Sequence, residues 1–160
     1  MFTNILVVYE NSPGAANALQ AAIAIAQAFR AHLCIATIVE RRPIYLSFAT
    51  SAASVTDWRE DRLKRCKTLE AQAARIVLDV GIPIDSDVVR LDQGDSVLEC
   101  VRRHRADLFV FAVQARSVLN GFILTDIARG SSCALMEIGR KSSLQVPAPS
   151  SSLHLNGSGR

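Results

Sequence analysis

ILVVYENSPGAANALQAAIAIA, residues 5–26, changes its period in the middle. Ile5–Tyr9 is an unbroken apolar run, the pattern of a short strand buried on both faces. Glu10-Asn11-Ser12-Pro13 then breaks it. Ser12 reads as a helix cap, with Pro13 at the first helical position where its missing N–H costs nothing. From there to about Arg30, Leu19, Ile23, Ala26 and Phe29 fall on one helical stripe among alanines, which allow close packing on a sheet. A buried strand followed at once by an amphipathic helix is half of a βαβ unit.

The rest of the chain repeats that unit. His32–Val39 is a second apolar, β-branched run, closed by Pro43. Residues 43–56 are rich in Ser, Ala and Thr without a period and read as a loop or poorly ordered lid. Asp57 and Glu60 have the spacing of a capping box. They open a long helix whose stripe is Leu63, Cys66, Leu69, Ala73, Ile76 and Val80, with Gly81 as its stop. A strand is expected over Asp87–Leu91, a turn at Asp92–Asp95, a helix over Ser96–Arg103 and a strand over Leu108–Val113. A last helix lies within Gly121–Ser132, and a last strand at Ala134–Ile138. The order β-α-β-α-β-α-β-α-β predicts an α/β fold: a doubly wound, five-stranded, mainly parallel sheet with helices on both faces. Residues 1–139 form the domain. Residues 140–160, rich in Ser, Pro and Gly, read as a disordered tail.

In such sheets ligands bind beyond the carboxyl ends of the strands, where the strand order reverses. That places any site at Glu10–Ser12, Val39–Pro43, Asp92–Asp95 and Val113–Gly121.

Composition narrows the classes. The chain has 160 residues, 49% hydrophobic and 21% charged, with a net charge of +3. It is long enough to bury a core without a metal or disulfide staple. The basic clusters lack an aromatic stacking platform, so nucleic acid is not expected as a partner. No apolar stretch is long enough to span a membrane. The opening residues carry no basic n-region or cleavage site. The four cysteines, Cys34, Cys66, Cys100 and Cys133, are scattered without a CxxC pair. Both observations lead us to expect a cytoplasmic protein.

Three segments together resemble the universal stress proteins: residues 5–26, GDSVLECVRRHRADLFVFA at 94–112 and CALMEI at 133–138. Glu10 stands where that family has an acidic residue and Ser12 where it has serine. The resemblance spans about residues 2–138 and implies an adenine nucleotide alpha hydrolase-like fold. It also implies a homodimer through the last strand, Ala134 to Ile138.

One branch of that family binds ATP through glycine, two residues, glycine, nine residues, then glycine with Ser or Thr. Aligned on Ala106-Asp107-Leu108, those positions are Ala112, Ala115, Thr125 and Asp126: each glycine is replaced. Methyl groups there crowd a phosphate, and Asp126 adds like charge. The pocket positions implied are Glu10, Ser12, Val39, Ala112, Ala115, Arg116, Thr125 and Asp126. Arg116 can be read as a phosphate contact or as a solvated loop residue.

The expected function is a non-catalytic stress-response domain that acts by dimerisation or partner binding, without tight ATP binding. The alternative is a regulator that binds ATP, ADP or AMP. No GxGxxG, GxxxxGK[ST] or GxSxG occurs, and no nucleophile–base pair is evident. His32, His104 and His154 show no HxH or HxxxH spacing, so no metal is expected. Asp92 and Asp95 read as turn and cap residues, and Cys133 as core.

Overall fold

The computed structural model describes residues 1–44, 48 and 51–139. The expected tail at 140–160 and part of the expected lid lie outside these residues.

Five strands form one parallel sheet in the order β3-β2-β1-β4-β5. They are β1 (Asn4–Val8), β2 (His32–Val39), β3 (Ile84–Arg90), β4 (Leu108–Ala112) and β5 (Ala134–Ile138). The helices are α1 (Ala15–Phe29), α2 (Ala52–Leu78), α3 (Val97–Arg103) and α4 (Gly121–Gly130). Short 3-10 turns at Leu91–Gln93 and Val113–Ser117 follow β3 and β4. The expected doubly wound α/β architecture is the one observed.

Period-two alternation divides β1 between two cores. Ile5 and Val7 face one side, with Leu33 and Ile35 of β2, under Leu19, Ala22 and Ile23 of α1 and Ala73 and Val77 of α2. Leu6 and Val8 face the other, with Phe109 of β4, under Val97 and Val101 of α3 and Ile127 of α4. Leu19 and Leu6 are both fully buried. Each such side chain contributes about 1.5–3 kcal/mol relative to exposure. The alanines of α1 at positions 15, 18, 22 and 26 are all buried, which lets the helix lie close on β1 and β4.

The strand order reverses between β1 and β4. There the β1–α1 loop meets the turn after β4, and they meet closely. A Cβ on Gly14 would lie 2.1 Å from Gln114 Oε1 and 3.0 Å from the Ala112 Cβ.

Several expectations are corrected. Ser12 does not cap α1. The helix starts at Ala15 behind Gly14, and the Ser12 hydroxyl donates to the Glu10 carboxylate instead. Pro13 lies in the turn before the helix rather than at its first position. Asp57 and Glu60 are interior residues of α2, which starts at Ala52, so residues 52–56 are helical rather than part of a loop. The helix N-cap is Ser51, in extended backbone. β3 begins at Ile84, three residues before Asp87. Asp92 is more than a turn residue. Its carboxylate is almost fully enclosed between the Arg59 and Arg90 guanidiniums, at 3.5 and 4.0 Å.

Candidate functional site

A cleft of about 490 Å³ opens at the carboxyl ends of β1 and β2. Its floor is Tyr9, Glu10, Ile38 and Glu40, and one wall is the α2 face carrying Arg62, Arg65, Leu69 and Gln72. Ser117 and Val118 close it from the side of β4. A strand end supplies the floor because the chain must leave the sheet there. Its last side chains then point into a crevice rather than a core.

The cleft is charged on two sides. Glu10, half-buried, receives the Ser12 hydroxyl, and its backbone carbonyl accepts the Ser12 N–H at 2.9 Å. The opposite wall is basic: Arg62, Lys64 and Arg65. Arg65 is paired with Asp61 one turn earlier, 3.1 Å away. The Arg62 guanidinium lies 5.7 Å from the Trp58 ring, a cation–π distance. Its Nε is enclosed and has no hydrogen-bond partner among the described residues. A buried donor left open is costly unless something arrives to accept from it.

The turn after β4 is where a phosphate grip is expected, and it is closed on itself. The Ala115 carbonyl accepts from both Val118 N–H, at 3.0 Å, and Leu119 N–H, at 2.7 Å. Ala112 and Ala115 are fully buried. Among the described non-glycine residues only Arg30 and Arg105 have positive φ. The turn therefore lacks the left-handed residues that splay successive N–H groups toward an anion.

The eight expected positions separate accordingly. Glu10 lines the cleft, and Ser12 supports it through the Glu10 carboxylate. Val39 is buried within β2, while its neighbours Ile38 and Glu40 face the cleft. Arg116 is held by Glu137 of β5. Thr125 and Asp126 are exposed within α4, past the helix start whose free N–H groups could meet an anion. At that start Asn120 already accepts from Ile123 N–H at 3.0 Å. The α2 residues of the cleft are not among the expected positions. Their signal is the spacing 62, 65, 69 and 72, which puts them along one helical face.

Cys133 is buried beside β5, as expected of a core residue. Burial, with the charge of Asp107 behind it, pushes its thiol up to about 11, so it is protonated at neutral pH.

The sequence model of the universal stress protein family matches residues 1–130. Solved structures share the fold. A universal stress protein in complex with cAMP is 23% identical, with 86% of this chain and 97% of that one covered and a TM-score of 0.58. The universal stress protein UspA from Lactobacillus plantarum is 18% identical, with 85% and 97% covered and a TM-score of 0.63. A universal stress protein family protein from Arabidopsis thaliana, solved with AMP bound, is 14% identical, with 88% and 93% covered and a TM-score of 0.59. No curated protein matches this sequence.

Proposed function

The chain belongs to the universal stress protein family, and on that premise we propose that it is a non-catalytic regulatory domain of the stress response, working by association and without a tight hold on ATP. The observation that carries this reading is the Ala115 carbonyl, which takes two of the N–H groups in the turn where a phosphate grip belongs. Amide donors engaged inside the turn are not available to a triphosphate.

Association would use β5. It ends the sheet and, among the described residues, pairs only with β4, and Ala134, Leu135 and Glu137 on it are exposed. An unpaired strand edge invites a second copy across a two-fold axis. No helix among the described residues is long and apolar enough to cross a membrane, and the proposed location is the cytoplasm.

A second reading is favoured by the cleft itself. Its Glu10 end suits the hydroxyls of a ribose, and its Arg62–Arg65 wall suits one phosphate. A nucleoside monophosphate of the adenine type would then be held by α2 rather than by the turn after β4. The neighbours solved with cAMP and AMP share this fold.

Thermal-shift titration with AMP, cAMP, ADP and ATP, each with and without Mg²⁺, separates the readings. A ligand that binds only the folded state raises the melting temperature with its concentration. A flat response to all four leaves association alone. A rise with AMP that extra phosphates do not improve supports the second reading. A much larger rise with ATP overturns the lost grip. Sedimentation at micromolar protein tests association, and monomer alone counts against it.

A further inference from the structure

On the face of the sheet away from the cleft, three side chains of different donor chemistry converge. Cys100 and His104 are four residues apart at the end of α3, so they share one helical face. Asp87 reaches them from β3. Its Oδ2 lies 2.8 Å from His104 Nε2 and accepts from the Cys100 thiol at 3.6 Å. One sulfur, one imidazole nitrogen and one carboxylate oxygen all lie within 4.8 Å of one another.

We propose that Asp87, Cys100 and His104 form a site for a borderline-soft divalent cation, Zn²⁺ or a close analogue, which clamps β3 to α3. Zinc takes thiolate sulfur at about 2.3 Å, and imidazole nitrogen and carboxylate oxygen at about 2.0–2.2 Å. Tetrahedral ligands at those lengths stand roughly 3.3–3.6 Å apart; the Cys100–Asp87 pair at 3.6 Å already meets this, and the Asp87–His104 pair at 2.8 Å has to open by about half an ångström as the ion replaces their hydrogen bond. A mixed S, N, O set suits zinc better than calcium or magnesium, which select oxygen. The charges balance, because thiolate and carboxylate together neutralise the ion.

The surroundings suit an ion that enters from water. Cys100 is buried, while the His104 and Asp87 side chains remain 19% and 17% exposed. That opening gives the ion its route in and leaves the fourth position to water. Arg103, whose Nη1 donates to the same Asp87 oxygen at 2.8 Å, is the competitor. Its side chain is 60% exposed and can turn into solvent as the ion arrives. On binding, the Cys100 thiol releases its proton to solvent, since the thiolate is the ligand. The site is independent of the cleft and of any nucleotide.

The test is titration of the reduced, chelator-treated full chain with Co²⁺, followed by Zn²⁺. The expected result is a thiolate-to-cobalt absorption band that saturates at one ion per chain and is bleached by Zn²⁺. Cys100→Ala should abolish the band, and His104→Gln should weaken binding at least about tenfold. Cys66→Ala, in a different part of the core, should keep both band and affinity. Circular dichroism verifies folding. If Cys100→Ala does not fold, His104→Gln decides, because His104 is only half-buried and the Gln side chain can still reach Asp87. Absence of the band in the wild-type chain overturns the proposal, as does unchanged affinity in His104→Gln.

Discussion

The Arg116 guanidinium grips the Glu137 carboxylate through two hydrogen bonds, its Nε donating to Oε1 at 2.6 Å. The contact joins the turn after β4 to the end strand of the sheet. The hydrogen bonds to Glu137 raise Arg116 above its already high range, and the same bonds hold Glu137 below the usual carboxylate range. Both groups are therefore ionised throughout the neutral range. For Arg116 to hold a phosphate, this two-bond pair would first have to break.

Arg116→Ala should accordingly leave any nucleotide-dependent shift in melting temperature unchanged. The pair is solvent-exposed and screened by salt. The melting temperature of the variant should fall by no more than about 3 °C. Loss of a nucleotide response in Arg116→Ala, with folding intact, would place Arg116 in the binding site and refute the assignment.

Gly14→Ala tests the contact at the reversal of strand order. The added methyl meets the far end of the Gln114 side chain, which can swing away, and the Ala112 Cβ, which cannot. Overpacking of this kind costs about 1–3 kcal/mol. Trimming Gln114 to Ala in the same chain should recover part of the loss. A double-mutant cycle by urea denaturation measures the coupling, and strictly additive effects would show that the two residues do not meet.

Asp107 controls an acid-sensitive tie between β1 and β4. Its carboxylate accepts the Thr3 N–H and hydroxyl, both at 2.7 Å, and the Asn4 N–H at 3.1 Å. Burial pulls its pKa up, but these donors outweigh burial and hold it below the ordinary value. Folding therefore favours the charged form. The stabilisation is complete above the unfolded value of about 3.9 and is lost as pH falls through the lower folded value. Asp107→Asn should cost about 1–2 kcal/mol at pH 7. The difference from wild type should shrink below about pH 4. Urea denaturation at both pH values checks this, and a constant difference would sink it.

What was legible in the sequence follows from which forces act locally. β2 and β5 have their expected bounds, because an apolar run between breakers needs no tertiary information. β3 starts three residues before the expected Asp87. Its opening Ile84-Asp85-Ser86-Asp87 is polar, which an edge strand tolerates because one of its sides is unpaired. The Asp57/Glu60 spacing mimicked a cap, yet Ala52–Thr56 continues the helix upstream and nothing local forbids it. The cleft was only half visible. Glu10 sits at a strand end and could be found, whereas Arg62 and Arg65 depend on how α2 lies across β2. The meeting of Asp87 with Cys100 and His104 depends on the packing of α3 against β3, which no spacing within either element records.

Arg62 offers the sharpest test of nucleotide binding in the cleft. It lines the wall opposite Glu10, its Nε lacks a hydrogen-bond partner among the described residues, and it stacks near the Trp58 ring. A hydrogen bond to a charged group contributes about 1.5–3 kcal/mol, so Arg62→Ala should weaken AMP binding by roughly 10–100-fold. Arg62→Lys should recover only part of this, because an ammonium keeps the charge but not the planar fork. Trp58 is the sole tryptophan of the chain, so its emission gives a second readout. Saturating AMP should change that emission in the wild-type protein and not in Arg62→Ala at the same concentration. Calorimetry that finds equal AMP affinity in wild type and a folded Arg62→Ala would remove α2 as the phosphate-binding wall. The cleft would then be a surface feature of a domain that acts through its partners alone.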